Sequence, residues 1–116
     1  MLWEYCDISY NDLMDIKKLI EELNNYINLK YKDFKGTYLF GSRAKGSFNE
    51  DSDVDIVVVF DELNRDKEFD IYGIISDLMY KYDAFIDIHL MTPEKLRQNP
   101  FFYEEVVDKG IFYEAA

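Results

Sequence analysis

Gly41 and Ser42 stand ten residues ahead of Asp53-Val54-Asp55, and the acids open an apolar run that continues to Phe60. On a strand, residues two apart project from one face, so Asp53 and Asp55 would point the same way, roughly 6 to 7 Å apart along the backbone. Paired carboxylates of this kind suit magnesium, a hard cation that takes oxygen ligands from one or two acids together with phosphate and water. Two such ions about 3.5 to 4 Å apart can activate an attacking hydroxyl and stabilise a departing pyrophosphate in an in-line displacement.

A third acid extends the pattern. Asp87 interrupts the apolar strand Ala84-Phe85-Ile86-Asp87-Ile88-His89-Leu90, where a carboxylate is costly unless paired, hydrogen-bonded or metal-bound. If the two strands are neighbours, Asp87 joins Asp53 and Asp55, and a cation offsets their mutual repulsion. Opposite the acids, Gly41 lets the backbone approach a phosphate closely, and Ser42 adds a hydroxyl donor. Arg43 and Lys45, with no acid between Gly36 and Phe48, form a positive island in an otherwise acidic chain, suited to a triphosphate or a leaving pyrophosphate.

Two rival motifs fail. From Asp51 the acids fall at the first, third, fifth and twelfth positions of a calcium loop, but Ile56 occupies the sixth, where the sharp turn needs glycine. Gly41 to Ser47 has the glycine spacing of a P-loop without the lysine that follows its second glycine. A plain polar turn, Asn49-Glu50-Asp51-Ser52, running into a strand accounts for Asp53 and Asp55 alone; it leaves Gly41-Ser42 and Asp87 unexplained.

The elements that must hold these groups alternate between helical and extended periods. A first amphipathic helix is expected from a cap at Asn11 or Asp12 to about Tyr31, with Leu13, Ile16, Ile20, Leu23 and Ile27 in its stripe. Gly36 separates it from a short strand, Thr37 to Phe40, and Val54 to Phe60 is a second, buried on both faces and so central in a sheet. Asp66 to Tyr82 supplies a second helix and Ala84 to Met91 a third strand. Thr92-Pro93-Glu94 starts a helix, Asn99-Pro100 starts another that runs to about Lys109, and Ile111 to Tyr113 returns as an edge strand. This order describes an α/β (α+β mixed) domain, a mixed β-sheet of three to four strands flanked by helices.

At 116 residues with 48% hydrophobic content the chain reads as a single domain, 1–116, with one core. Its net charge of -11 repels nucleic acid and anionic membrane and favours a basic partner. No apolar stretch approaches the roughly 20 residues of a membrane span. Glu4, Asp7, Asp12 and Asp15 replace the basic start of a signal peptide, so a cytoplasmic location is expected. The single cysteine, Cys6, reads as a small buried hydrophobe in a reducing compartment. His89 faces the side of Asp87, either touching substrate or held as a half-buried strand histidine. Phe101-Phe102-Tyr103 is core or a partner anchor.

Gly41-Ser42, the ten-residue gap, Asp53-Val54-Asp55 and a later strand acid together resemble the signature of the DNA polymerase beta nucleotidyltransferase superfamily. The wording LFGSRAKG and SDVDIVV is most similar to the minimal nucleotidyltransferase (MNT) antitoxins of the MntA type, partners of HEPN-domain toxins, and the likeness covers nearly the whole chain. The resemblance implies a nucleotidyltransferase fold and ATP as donor. It makes Asp53, Asp55 and Asp87 catalytic magnesium ligands, with Asp87 helping to activate the acceptor hydroxyl, and gives Gly41, Ser42 and Arg43 the triphosphate contacts. It further implies transfer of AMP to a tyrosine of a HEPN ribonuclease toxin, which neutralises that toxin. Two alternatives stay open at this point: an antitoxin that acts by binding alone, and a small-molecule (antibiotic) nucleotidyltransferase needing a second subunit for its acceptor pocket.

Overall fold

The computed structural model describes the backbone of residues 2–46 and 53–115, and the side chains of 16–46 and 53–115. The polar turn at 49–52 and the surroundings of Cys6 lie outside these. Helix α1 spans Leu2–Lys30, so the expected cap at Asn11 or Asp12 falls within the helix. No glycine or proline occurs before Gly36, and a capping residue alone does not start a helix where preceding residues also favour it. From Ile16 onward the helical stripe is as expected, with Ile16, Leu19, Ile20, Leu23 and Ile27 buried.

Strand β1, Phe34–Phe40, begins three residues earlier than the sequence pattern indicates. Gly36 does not end the preceding segment; it sits at a register shift within the strand with φ 143, a left-handed value natural to glycine. A Cβ there would lie 2.6 Å from the Phe112 ring, so the bare backbone makes room for the edge strand. The four-residue helix α2 (Ser42–Lys45) follows. Strand β2 (Val54–Phe60) is the expected central strand, buried beyond Asp55.

Helix α3, Arg65–Tyr82, starts at Asn64, whose side chain accepts from the Lys67 amide, and ends at Asp83 in the left-handed region. Strand β3 runs Ile86–Met91, with Ala84 and Phe85 serving as its connection. Thr92 and Asn99 cap α4 (Pro93–Arg97) and α5 (Pro100–Tyr103), each with proline in the first turn. The last helix expected through Lys109 instead widens after Tyr103 into a π-helical turn, Glu104–Asp108. Strand β4, Ile111–Glu114, closes the sheet as its edge.

The strand order is β3-β2-β1-β4. β1 pairs antiparallel with β2 and β4, whereas β2 and β3 are parallel, joined by the α3 crossover. Strand alternation gives the sheet two unlike faces. Leu39, Ile56, Val58, Phe60, Ile86 and Leu90 pack with α1 and α3 in the larger core. Val57 and Val59 face the other way, against Leu96 and Val106 of the short C-terminal elements, with Tyr38, Phe40 and Phe102 beside them.

Two buried polar groups lock the larger layer. Asn24 of α1 accepts the Thr37 hydroxyl (2.6 Å) and donates to the carbonyls of Tyr113 (3.1 Å) and Glu114 (3.0 Å), tying α1 to β1 and β4 at once. Lys67 donates to both carboxylate oxygens of Asp33 (3.0 and 2.8 Å) and to the Glu62 carbonyl (2.7 Å), with its ammonium 4.7 Å from the Phe60 ring centroid.

Candidate active site

Asp55 has the same strand parity as Val57 and Val59, so its side chain rises on the face with the short C-terminal elements. There it is flanked in register by Phe40 of β1 and Asp87 of β3. The neighbouring strands expected for the second and third acids are thus present, and parallel pairing sets Asp55 and Asp87 directly opposite each other. Asp53 immediately precedes β2 and is exposed. Its charge still reaches Asp55.

The Asp55 carboxyl is pushed above the ordinary carboxylate range. Burial is the main cause, followed by the negative charges of Asp87 and Asp53; a hydrogen bond with Asp87 adds to the rise, and His89 opposes it. Burial and acidic neighbours therefore disfavour the charged form of Asp55. Among the described residues, no three histidine, cysteine, aspartate or glutamate side chains close on one metal-sized point. The chemistry of the pair that does meet, the Asp55 and Asp87 carboxylates set opposite each other across β2 and β3, nevertheless suits a hard divalent cation, which takes one or two carboxylates and completes its shell with phosphate and water.

Gly41 forms the other wall. Its φ of 74 and ψ of -154 lie in a region occupied essentially by glycine alone, and a Cβ added there would collide with Asp55 Oδ2. Glycine is needed twice over, for the turn and for the approach to the carboxylate. Ser42 and Arg43 begin α2 directly after it, on the β1 side of Asp55, while Asp87 lies on the β3 side. Lys45 pairs with Glu105 of the π-helical turn at 3.2 Å, so part of the positive island seen in sequence serves to tie α2 to that turn.

The sequence pattern placed His89 on the side of Asp87 but gave no sign that Phe40 and Phe102 close around it. His89 stands one residue pair along β3 from Asp87, its Nε2 3.7 Å from Asp87 Oδ2. Its ring lies 5.8 Å from Phe40 and 5.4 Å from Phe102, and Phe40 and Phe102 are 5.4 Å apart. The three form a triangle over β2. The parity of Phe40 with Asp55 could have suggested one side of it; the approach of Phe102 depends on how α5 folds back.

Residues 17–112 match the family Polymerase beta, Nucleotidyltransferase. The chain belongs to this polymerase beta nucleotidyltransferase family. It is 32% identical over 101 residues, 84% of this chain and 96% of the other, to a Methanocaldococcus jannaschii protein named "Putative protein adenylyltransferase". Among solved structures, a "putative nucleotidyltransferase" from Sulfolobus solfataricus superposes with a TM-score of 0.62 at 20% identity, covering 90% of this chain and 84% of that one. A toxin-antitoxin with AMP-PNP gives 0.56 at 22% identity, and a mutant of the MntA-HpeT toxin-antitoxin gives 0.55 at 20%; each covers 86% of this chain and 70% of the other. These likenesses bear on the fold, which is that of the nucleotidyltransferases. Among the described residues no helix is long and apolar enough to cross a membrane.

Proposed function

We propose that this chain is a protein adenylyltransferase that moves AMP from magnesium-bound ATP to a tyrosine of a HEPN-domain ribonuclease toxin and so acts as that toxin's antitoxin. The observation that carries the reading is the pairing of Asp55 with Asp87 across parallel strands, with Gly41 pressed against the Asp55 carboxylate. The adenylyltransferase name of a relative and the toxin-antitoxin assemblies among the structural neighbours support the choice of donor and partner.

Bound magnesium would neutralise charge on the triphosphate and on the acids; Asp53, Asp55 and Asp87 would hold it. The chain's own residues do the positioning. Gly41, Ser42 and Arg43 would cradle the triphosphate on the β1 side of Asp55. The acceptor oxygen bonds to the α-phosphorus, the bond from that phosphorus to the bridging oxygen breaks, and pyrophosphate leaves. The acceptor proton passes to Asp87.

Mass spectrometry of the partner, purified after co-expression, tests this reading. One or more adenylyl groups on a tyrosine are expected with the native chain and none with Asp55→Asn. An unmodified partner that is nevertheless neutralised would instead support inhibition by docking alone.

A further inference from the structure

An in-line displacement places the attacking and leaving oxygens on opposite sides of the α-phosphorus. Gly41 and Ser42 stand on the β1 side of Asp55, so a pyrophosphate held there obliges the acceptor to arrive from the β3 side. β3 is an edge strand of the sheet, and the side chains of Asp87 and His89 are 53% and 35% exposed along it. The acceptor therefore meets His89 as it reaches Asp87. Behind the imidazole stand Phe40 and Phe102, the latter edge-on at 5.4 Å; they pack against the ring, and the solvent-exposed part of the side chain is what an arriving acceptor meets.

We propose that His89, backed by Phe102, positions the acceptor: a phenol ring packs against the imidazole so that its hydroxyl lies between Asp87 and the α-phosphorus, and Phe102 acts by holding that imidazole in place. This inference rests on the transferase reading above and adds to it the side of approach and the residues that choose the acceptor. A flat aromatic side chain gains edge and face contacts there that serine or threonine lacks. The selection acts through ring contact and needs no change in the charge of His89.

His89 is the chain's single histidine, so its imidazole Hε1 proton gives one assignable NMR signal. At fixed pH and magnesium, N-acetyl-tyrosinamide is expected to move that signal in a saturable way, whereas N-acetyl-serinamide leaves it in place. Phe102→Leu, which keeps an apolar side chain, is expected to weaken the tyrosine probe about 3- to 10-fold. Its affinity for AMP-PNP should change by less than about twofold, and Phe102→Tyr should restore the tyrosine contact. In labelled transfer to a tyrosine peptide, Phe102→Leu raises KM while kcat holds.

If the signal follows AMP-PNP and ignores the tyrosine probe, the rings hold the nucleobase and the proposal is overturned. No response to any probe overturns it equally. A tyrosine-specific shift in a protein that transfers no AMP upholds the ring contact while removing the transferase reading, so the two fail separately.

Discussion

At the scale of single residues, Asp55 carries a conflict between stability and chemistry. Its carboxyl titrates above the ordinary range, so the folded state holds a proton that the unfolded chain has already released. Stability therefore falls as pH rises from the usual carboxylate pKa through the raised one, and the penalty is complete above it. Asp55→Asn removes that penalty. The variant is expected to melt no lower than the native protein at neutral pH while losing transfer by about 100-fold or more. Calorimetric melts across the acid range, set beside label-transfer rates, check both halves. Gly41→Ala should fail differently: the added methyl group meets Asp55 Oδ2 in a backbone conformation that L-residues avoid. A stability loss of about 1 to 3 kcal/mol is expected together with lost activity, read from urea unfolding and nucleotide binding.

Among the elements, buried polar ties decide what the hydrophobic pattern leaves open. Lys67 is almost fully buried beneath the β2–α3 connection, and its hydrogen bonds with those of the Glu62 amide outweigh burial to hold Asp33 below the ordinary carboxylate range. Stability from this pair is present above the usual carboxylate pKa and lost as pH falls through the lowered one. Lys67→Met should cost about 2 to 3 kcal/mol at neutral pH, less than for a fully buried pair because the Asp33 side chain is 28% exposed. The difference from the native protein should shrink in acid, as urea denaturation at two pH values would show.

Neither this pair nor the Asn24 bridge was legible in the sequence, because each depends on side chains brought together from distant segments. The central strand, the α3 crossover and the proline-led caps were legible, since alternation, helical period and capping chemistry are local. Local signals misjudged Gly36 because a glycine that ends one element and one that bends a strand look alike until the partner strand is known. The adjacency of Asp55 and Asp87 was legible only on condition that their strands paired. The ring triangle around His89 was hidden by the fold-back of α5.

Over the whole molecule, helices α1 and α3 cover one sheet face, and the short C-terminal elements leave the acids accessible on the other. The net charge of -11 adds a long-range field that steers a basic partner toward the chain. Association with a basic partner protein should slow by about tenfold or more between low and physiological salt, with dissociation much less affected; stopped-flow mixing at several ionic strengths measures this.

The most direct test of adenylyl transfer uses the verified partner and ATP labelled in separate reactions at the α- or the γ-phosphate. Magnesium-dependent, covalent α-label on a partner tyrosine is expected, with no γ-label and no transfer by Asp55→Asn or Asp87→Asn. Transfer of the γ-label, or a stoichiometric complex in which the partner acquires neither label, would contradict the account.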